Sequence, residues 1–484
     1  MHAVDPALPP AAQRIATPFF LIDHHAGHFA GGRWLISPWR PPAADNWLVN
    51  AAVLQQLIAL VSEGVASIEV HPTLACYQSG ERTELRVVSH VAVERAITVM
   101  VRAPDGAKLF ATEMTVPASP YLVEQRFTLP ITPNPGLYQI IWTLTGPNPL
   151  CHRNGFWVWD TALVDRTHGQ ACVAGRDGFS LKGNPFLVFG TTYMDRVMQR
   201  KYLVLPNPAR WDHDFVEMRE AGVNLIRTGI WTAWRDLMPL VGQPNEALLP
   251  ALDAFIMTAS AHNMQVIFTF FAFPPPLFEG ENLWLDPRAP TGQRAFITAI
   301  ARRYADNELV SWDLINEPSF GDPRAIFAKR PLPLGDRFEQ AAWQAWLQAR
   351  YTLTELALRW RMTPTQMPEW KDVALPTAAD YSTDVCDTAH RHPLRLGDYV
   401  RFSQAMVADW ATHMAAVIRA TGSHTLITVG QDEAEARPTP QFYAPAVDYR
   451  TTHPWWNVDA LLWDLVLDKT PTKPNLAQRC RMGP

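Results

Sequence analysis

From Gly178 onwards, apolar strand-like runs alternate with amphipathic helix-like segments. The strand-like runs are "PFLVFGTTY", "VNLIRTGIW", "MQVIFTFFAF" and "LVSWDLINEP", and the helix-like segments between them are "PARWDHDFVEMREAG", "NEALLPALDAFIMTASAHN" and "PTGQRAFITAIARRYADN". Strict alternation of this kind predicts a parallel sheet covered by helices. The regular repeat favours an α/β fold of the (β/α)8 barrel type over an open sheet.

The alternation is interrupted by a predicted insertion over residues 319–396 and then resumes. A long helical pattern precedes "HTLITVGQDE", and a further strand-like run, "VDYRTTHPWW", precedes the helical "VDALLWDLVL". The segment "KPNLAQ" has the character of a seventh strand. We therefore predict a barrel domain over residues 177–484 that is incomplete at its C-terminus, because no eighth unit follows.

The region upstream has a different periodicity. Short alternating runs over residues 67–165, such as "TELRVVSH" and "GLYQIIWTLTG", predict a β-sandwich of the Ig-like type. Asp105-Gly106 lies between two of these runs, which predicts a hairpin. Residues 1–66 form a mixed N-terminal segment with a helical pattern between Asn46 and Gly64.

Composition narrows the function classes. The net charge of −5, without a block of basic residues, argues against partners such as nucleic acid or an anionic membrane. No stretch approaches the ~20 apolar residues of a membrane span, and no signal peptide is evident, so a cytoplasmic location is expected. The five cysteines lack CxxC spacing, and we expect neither a metal site nor a cofactor. The 19 tryptophans give weight to sugar binding, because indole faces stack on sugar rings.

Candidate chemistry lies where the predicted strands end, since barrel enzymes place catalytic groups there. Glu317 follows the buried fourth strand directly and lies beside Asn316. The other predicted strand ends carry further polar and aromatic residues: Tyr193, Arg227, Trp231, His453 and Trp455. The simpler alternative is that Glu317 caps a helix or pairs with a surface lysine. A carboxyl facing such a pocket could instead have the raised pKa that a general acid needs.

The segment "WDLINEP", with "NLIRTGIW" upstream and "YRTTHPWW" downstream, resembles the retaining glycosidases of the barrel clan that includes β-galactosidases, β-mannanases and cellulases. The resemblance implies a glycoside hydrolase acting on a β-linked oligo- or polysaccharide. It implies Glu317 as the acid/base and Asn316 as a contact to the sugar 2-hydroxyl. It also implies Arg227 as support for the nucleophile and His453 as part of the sugar subsite.

One feature departs from the clan's pattern. A retaining mechanism needs a second carboxyl about 5–5.5 Å from the first. The clan implies a glutamate just after Gln478, but Arg479 occupies that position. Glu433 is a poor substitute, because its neighbours form an acidic turn. We therefore expect this chain by itself to be almost inactive.

Two alternatives remain open from the sequence. A carbohydrate-binding protein, or a pseudoenzyme, would keep the aromatic mouth without the attacking group. An incomplete barrel would also leave open strand edges that favour aggregation. Sugar specificity, exo or endo action and the oligomeric state are not encoded in any pattern that we recognise.

Overall fold

The computed structural model describes residues 3–4, 14–16, 19–23, 32–37, 51–62, 67–144, 150–231, 237–272, 282–322, 332–363, 365–367, 369–382, 386, 391–431, 440–453, 465–466 and 469–478. The chain divides into two compact units. The first contains residues 1–159 and 207–210, and the second contains residues 160–206 and 211–484.

The first unit is made almost entirely of strands. Its elements are β1 (Ala3–Val4), β2 (Arg14–Ala16), β3 (Phe20–Asp23), β4 (Arg33–Ile36), α1 (Ala51–Ser62), β5 (Ser67–Pro72), β6 (Cys76–Tyr77), β7 (Glu84–His90), β8 (Arg95–Arg102), β9 (Lys108–Val116), β10 (Val123–Thr128), β11 (Gly136–Leu144) and β12 (Leu150–Val158). The helical pattern between Asn46 and Gly64 and the alternating runs after Ser67 therefore predicted elements correctly. β12 was missed, because its polar first half conceals the alternation.

Two sheets of the first unit share one core. One has the order β10-β7-β5 and the other has the order β6-β12-β11-β8-β9. Leu85 and Val87 from the first sheet pack with Val99, Ile140 and Phe156 from the second. Burial alternates along β7 and β11, as expected for strands with one face towards a core. The predicted hairpin at Asp105-Gly106 is confirmed as the connection between β8 and β9.

The second unit alternates strands and helices. Its elements, together with the helix α3 whose first residues belong to the first unit, are α2 (Thr161–Asp165), β13 (Cys172–Ala174), β14 (Phe179–Leu181), β15 (Asn184–Phe186), β16 (Gly190–Thr192), α3 (Pro208–Glu220), β17 (Leu225–Gly229), α4 (Leu248–Ala261), β18 (Gln265–Phe271), α5 (Arg288–Arg303), β19 (Val310–Asn316), α6 (Arg337–Gln348), α7 (Leu353–Trp360), α8 (Pro393–Ala420), β20 (Ile427–Gly430), α9 (Pro440–Tyr443), β21 (Arg450–Thr452) and β22 (Asn475–Ala477). Short 3₁₀ turns cover Trp370–Asp372, Ala378–Tyr381 and Ala444–Ala446.

The parallel strands follow one another in sequence order. β16, β17, β18, β19 and β20 form one parallel sheet, and β21 pairs in parallel with β22. The Thr428 hydroxyl donates to the Tyr449 carbonyl and the Thr451 hydroxyl donates to the Val429 carbonyl, which places β21 beside β20. Seven parallel strands in consecutive order, with helices between successive strands from β16 to β21, form the βα arrangement of a TIM barrel within the described residues.

The predicted first barrel strand is corrected by the structure. The run "PFLVFGTTY" divides into β15, which pairs with β14 in an antiparallel hairpin, and β16, which alone joins the parallel sheet. The backbone at Lys182 and Gly183 has positive φ angles of 53° and 76°, and the turn between β14 and β15 lies there. Apolar character alone does not distinguish a hairpin strand from a barrel strand.

The hairpin strands β13, β14 and β15 lie at the amino ends of the barrel strands. The Phe179 ring contacts the Tyr449 ring edge to face, with centroids 5.2 Å apart. A cavity of about 20 Å³, room for about one water molecule, separates these strands from the barrel interior. Cys172 and Phe186 line the cavity from the hairpin side, and Leu225 lines it from the barrel. Side chains of the hairpin strands therefore pack against this end of the barrel.

The insertion after β19 has a core and ion pairs of its own. The Trp343 indole stacks on Trp360 at a centroid distance of 5.9 Å and packs against Phe402 at 5.4 Å. We call five residues of this region the insertion cluster: Glu339, Arg359, Trp360, Asp398 and Tyr399. Asp398 accepts hydrogen bonds from Arg359 Nε and Nη2, both at 2.7 Å, and from Trp360 Nε1 at 2.9 Å. Buried Glu339 accepts hydrogen bonds from the Tyr399 hydroxyl and from the Gly335 amide.

Among the described residues, no helix has the length and apolar character needed to cross a membrane.

Candidate active site

The centre of the site is a buried ion pair between two barrel strands. Arg227 on β17 donates from Nε, at 3.0 Å, and from Nη2, at 2.6 Å, to Asp313 Oδ2 on β19. Arg227 is 2% exposed and Asp313 is 0% exposed. Thr269 donates to the same carboxylate oxygen, and the Gly430 amide donates to Asp313 Oδ1 at 2.7 Å. A carboxylate that accepts from this many donors is held in one position and fixes the direction of the guanidinium.

Gly430 leaves room for this ion pair. A Cβ atom at this position would lie 2.7 Å from Arg227 Nη2 and 3.0 Å from Asp313 Oδ2. Any side chain larger than hydrogen would therefore displace the guanidinium or the carboxylate. The end of β20 consequently helps to set the position of Arg227.

An irregularity in β19 turns its last residue into the barrel. The register of pairing with β20 shifts between Asp313 and Asn316. Bulges of this kind re-aim side chains at strand ends. Asn316 Oδ1 accepts a hydrogen bond from Arg227 Nη2 at 3.0 Å. Asp313 and Asn316, both on β19, therefore contact the same guanidinium.

Glu317, the next residue, has a left-handed backbone with a φ of 50°. Its amide donates to the Gly430 carbonyl, which ties this conformation to β20. A non-glycine residue in this region costs of order 1–3 kcal/mol and is common at functional sites. The strain directs the Glu317 side chain away from the course of the strand.

The Glu317 carboxylate lies beside His453 at the rim. Glu317 Oε1 and His453 Nδ1 are 2.9 Å apart, and the Glu317 side chain is 19% exposed. His453 is fully buried, and its Nε2 lies 3.0 Å from Gln478 Oε1. The carboxylate is thus held on one side and open to solvent on another.

Burial lowers the pKa of His453, and the positive charge of Arg227 lowers it further. The hydrogen bond to Glu317 opposes this shift without reversing it. His453 is therefore neutral near pH 7 and carries one ring hydrogen.

The structure brings four of the predicted site residues together, and we call them, with Asp313, the mouth cluster: Arg227, Asp313, Asn316, Glu317 and His453. Trp231, also predicted, lies against it, with its ring centroid 5.0 Å from the Arg227 guanidinium carbon. Trp455, Glu433 and the position after Gln478 lie outside the described residues. The chemical roles of all these residues stay predictions.

The predicted position of Tyr193 at the mouth of the barrel is corrected by the structure. Its hydroxyl donates to Asp214 on α3 at 2.8 Å, and its ring packs against Phe215 and Phe255 in the helical layer. Thr192 pairs with Arg227, whose side chain points into the barrel, so the next residue points outwards. Tyr193 therefore belongs to the packing between strands and helices, not to the mouth.

Sequence reasoning missed Asp313, Thr269, Gly430 and Gln478. For Asp313 a signal was present, since a carboxylate in the middle of the apolar run "LVSWDLI" must have a partner if that strand is buried. Thr269 and Gly430 give no comparable signal, because their roles depend on which strand lies beside them.

Chemically, the mouth cluster offers a proton carrier and hydrogen-bond donors. Arg227 Nη1 is buried and has no hydrogen-bond partner among the described residues, so it can still donate to an anion or a hydroxyl. In the part of the chain that the structure describes, no group of three or more His, Cys, Asp or Glu side chains is arranged to hold a metal ion.

Two family profiles and one curated protein match parts of this chain. A family profile described as beta-galactosidase matches residues 291–469, and one described as cellulase (glycosyl hydrolase family 5) matches residues 181–355. The β-galactosidase BgaH of Haloferax lucentense is 25% identical over 244 residues, which is 45% of this chain and 34% of that protein. The chain thus spans about a third of the length of this curated relative.

Solved structures show similar partial likenesses. The β-galactosidase of the psychrophilic Marinomonas ef1 is 17% identical, with a TM-score of 0.43 over 55% of this chain and 40% of that one. The β-galactosidase of Halorubrum lacusprofundi is 19% identical, with a TM-score of 0.43 and the same coverage. The two profile matches overlap and include Asn316 and Glu317, and between them they reach from Arg227 to His453. Over the matched residues the chain is similar to the beta-galactosidase and cellulase families of glycoside hydrolases.

Proposed function

We propose that this protein is a glycoside hydrolase for β-linked sugars, with β-galactosides as the first substrate class to test, and that Glu317 is its acid/base. The observation that carries this proposal is the Glu317 carboxylate, held by His453 at 2.9 Å and still partly exposed at the mouth. The profile described as beta-galactosidase and the relative from Haloferax support the choice of sugar.

In the proposed mechanism, protonated Glu317 gives its proton to the glycosidic oxygen as the bond to the anomeric carbon breaks. A second carboxylate attacks that carbon and forms a glycosyl-enzyme intermediate. Glu317, now ionised, then takes a proton from the water that releases the sugar with retention. Arg227 donates to Asn316, the residue before Glu317. In this mechanism Asn316 would contact a sugar hydroxyl and Arg227 would support the second carboxylate.

The residue that supplies the second carboxylate is not assigned in this mechanism. We predicted it directly after Gln478, where the sequence has Arg479. We therefore expect the 484-residue chain to hydrolyse substrates slowly, since acid catalysis alone contributes about 10²–10⁴-fold. We further propose that the two-sheet unit is an Ig-like β-sandwich accessory to the barrel.

The test uses aryl β-galactosides with good and poor leaving groups. We expect Glu317→Gln to slow hydrolysis of the poor leaving group by about 10²–10⁴-fold and to affect 4-nitrophenyl β-galactoside much less. Glu220→Gln, at an exposed position at the end of α3, is the matched control and should have no effect. Equal rates for wild type and Glu317→Gln on the poor leaving group, both above the uncatalysed rate, would remove Glu317 from the mechanism.

The same preparation separates the alternative function. Calorimetric titration with galactose and β-linked oligosaccharides measures binding independently of hydrolysis. Binding without any release of product would favour a carbohydrate-binding protein. If neither binding nor hydrolysis of any β-glycoside were observed, the proposed function would be wrong.

A further inference from the structure

Three side chains form a line that runs from the mouth of the barrel into its wall. His453 Nδ1 lies 2.9 Å from Glu317 Oε1, and His453 Nε2 lies 3.0 Å from Gln478 Oε1. The Gln478 backbone is fixed by the hydrogen bond from its amide to the Thr452 carbonyl, which extends the pairing of β22 with β21. The imidazole is therefore held between a carboxyl group and a carboxamide.

His453 has two hydrogen-bond partners, but a neutral imidazole has only one hydrogen to donate. A neutral imidazole carries one hydrogen, so one ring nitrogen donates and the other accepts. An ionised Glu317 and a Gln478 carbonyl oxygen both need a donor. His453 cannot satisfy both while it remains neutral, and burial, which lowers its pKa, favours the neutral ring. One of the two neighbours must therefore supply a hydrogen.

Two arrangements satisfy both ring nitrogens of His453, and in the observed orientation Gln478 Nε2 is buried without a hydrogen-bond partner among the described residues. In the first, Gln478 Oε1 accepts from His453 Nε2–H, and a protonated Glu317 donates to Nδ1. In the second, the amide is turned over, so that Gln478 Nε2 donates to His453 Nε2, and Nδ1–H donates to the Glu317 carboxylate. The terminal amide torsion is broad and roughly two-fold, and the oxygen and nitrogen of an amide exchange places on turning.

We propose that Gln478 is a positioning residue that lets a neutral His453 stabilise Glu317 in both of its protonation states. The inference rests on the proposed function, because an acid/base passes through both states in each catalytic cycle. The two arrangements differ by one proton, which Glu317 gives to the leaving oxygen and regains from water. The imidazole keeps a single hydrogen in both.

Glutamine suits this position better than other residues. A methionine would offer no hydrogen bond, a carboxylate would only accept, and a lysine would only donate. The Tyr449 hydroxyl next to the amide can donate or accept, so it permits either orientation. The charged and titratable groups that face this line from the neighbouring strands are Arg227, Asp313 and Tyr449.

The direct test is a pH titration of the full chain followed by ¹⁵N NMR of histidine side chains, with His453→Gln used to assign the signal. We expect the His453 hydrogen on Nδ1 at pH 8 and on Nε2 after Glu317 takes up its proton, without a doubly protonated ring in between. A hydrogen that stays on the same nitrogen throughout would overturn the proposal.

Two substitutions sharpen the test. Gln478→Glu offers only an acceptor, so we expect Nε2 to carry a hydrogen already at pH 8. Gln478→Met offers neither a donor nor an acceptor to the imidazole. We therefore expect His453 Nδ1 to keep its hydrogen at pH 8, and transfer of the hydrogen to Nε2 to be suppressed as the pH falls. Nδ1–H with a bare Nε2 in Gln478→Glu would contradict the proposal.

Kinetics give a second readout. For an aryl β-galactoside with a poor leaving group, Gln478→Met should lower kcat by roughly 2- to 10-fold, the effect of one lost hydrogen bond, and leave KM within about twofold. The upper limb of the pH profile of kcat/KM should move to higher pH in Gln478→Glu. A change confined to KM would count against positioning.

The two levels of hypothesis fail separately. The NMR titration needs no turnover, so its failure would remove the role of Gln478 and leave the glycosidase proposal intact. Absence of both galactoside binding and hydrolysis would remove the glycosidase proposal whatever the tautomer of His453.

Discussion

The mouth cluster and the insertion cluster are both buried groups of charged and aromatic side chains, but their hydrogen bonding differs. In the insertion cluster, Asp398 receives three donors from Arg359 and Trp360, and the side chains are satisfied by near neighbours. In the mouth cluster, Arg227 keeps a buried donor without a partner among the described residues, and Glu317 has a strained backbone and a partly exposed carboxylate. Unused bonding capacity, more than burial of charge, distinguishes a site prepared for a ligand.

The largest expected difference concerns removal of one partner of each ion pair. Asp313→Ala leaves Arg227 buried and uncompensated, so we expect a loss of about 3–5 kcal/mol in unfolding free energy. Asp398→Ala should cost less, about 1.5–3 kcal/mol, because Arg359 is 29% exposed and can turn to water. Urea denaturation of both variants measures the difference. Equal losses would show that the two clusters are energetically alike.

A smaller effect is expected at two glycines. Gly430→Ala places a Cβ atom against Arg227 and Asp313, and overpacking of this kind costs about 1–3 kcal/mol. Gly397 lies on an exposed face of α8, where an added methyl group would meet nothing within 4 Å, so Gly397→Ala should stabilise the protein by about 0.5–1 kcal/mol. Thermal melts of the two variants should therefore move in opposite directions. A shift of the same sign in both would contradict the crowding argument.

Two residues share a left-handed backbone, and relief of this strain should change the unfolding free energy by about 1 kcal/mol. Arg361 ends α7 with a φ of 57°, and Glu317 ends β19 with a φ of 50°. Replacement by glycine relieves the strain at both, so we expect Arg361→Gly to gain about 1 kcal/mol. Glu317→Gly should gain less, because it also loses the hydrogen bond to His453. Chemical denaturation tests the order, and a larger gain at Glu317 would contradict it.

The smallest effects are expected in the dependence of stability on pH, and their signs are opposite. Burial lowers the pKa of His453, so its contribution to stability is present above about pH 6.5 and is lost as the pH falls below this value. Burial raises the pKa of Glu339, so its contribution is present below about pH 4.5 and is lost as the pH rises through the folded-state pKa.

Unfolding free energies measured from about pH 4 to pH 8 test these signs. His453→Gln should flatten the acid side of the wild-type curve, and Glu339→Gln should flatten the loss of stability that wild type shows above about pH 4.5. Each pKa unit of difference corresponds to about 1.4 kcal/mol. Curves that remain parallel to wild type would show that other groups control the pH dependence.

The sequence predicted the strand order and the position of Glu317, because a buried apolar run that ends in Asn-Glu-Pro needs no knowledge of its neighbours. It did not predict the partnership of Arg227 with Asp313, which are 86 residues apart and meet only through the register of three strands. Tyr193 was misplaced for the same reason, since a shift of one residue along a strand reverses the face. Local pattern thus identifies the elements, and register decides which side chains meet.

The cap formed by β13, β14 and β15 affects where substrate can enter and product can leave. The cavity between this cap and the barrel interior holds about one water molecule, which is too little for a sugar ring. This cavity offers no passage for a sugar, so we expect substrate to enter and product to leave at the carboxyl ends of the strands. A long polysaccharide would then lie across the mouth of the barrel or insert only its terminus.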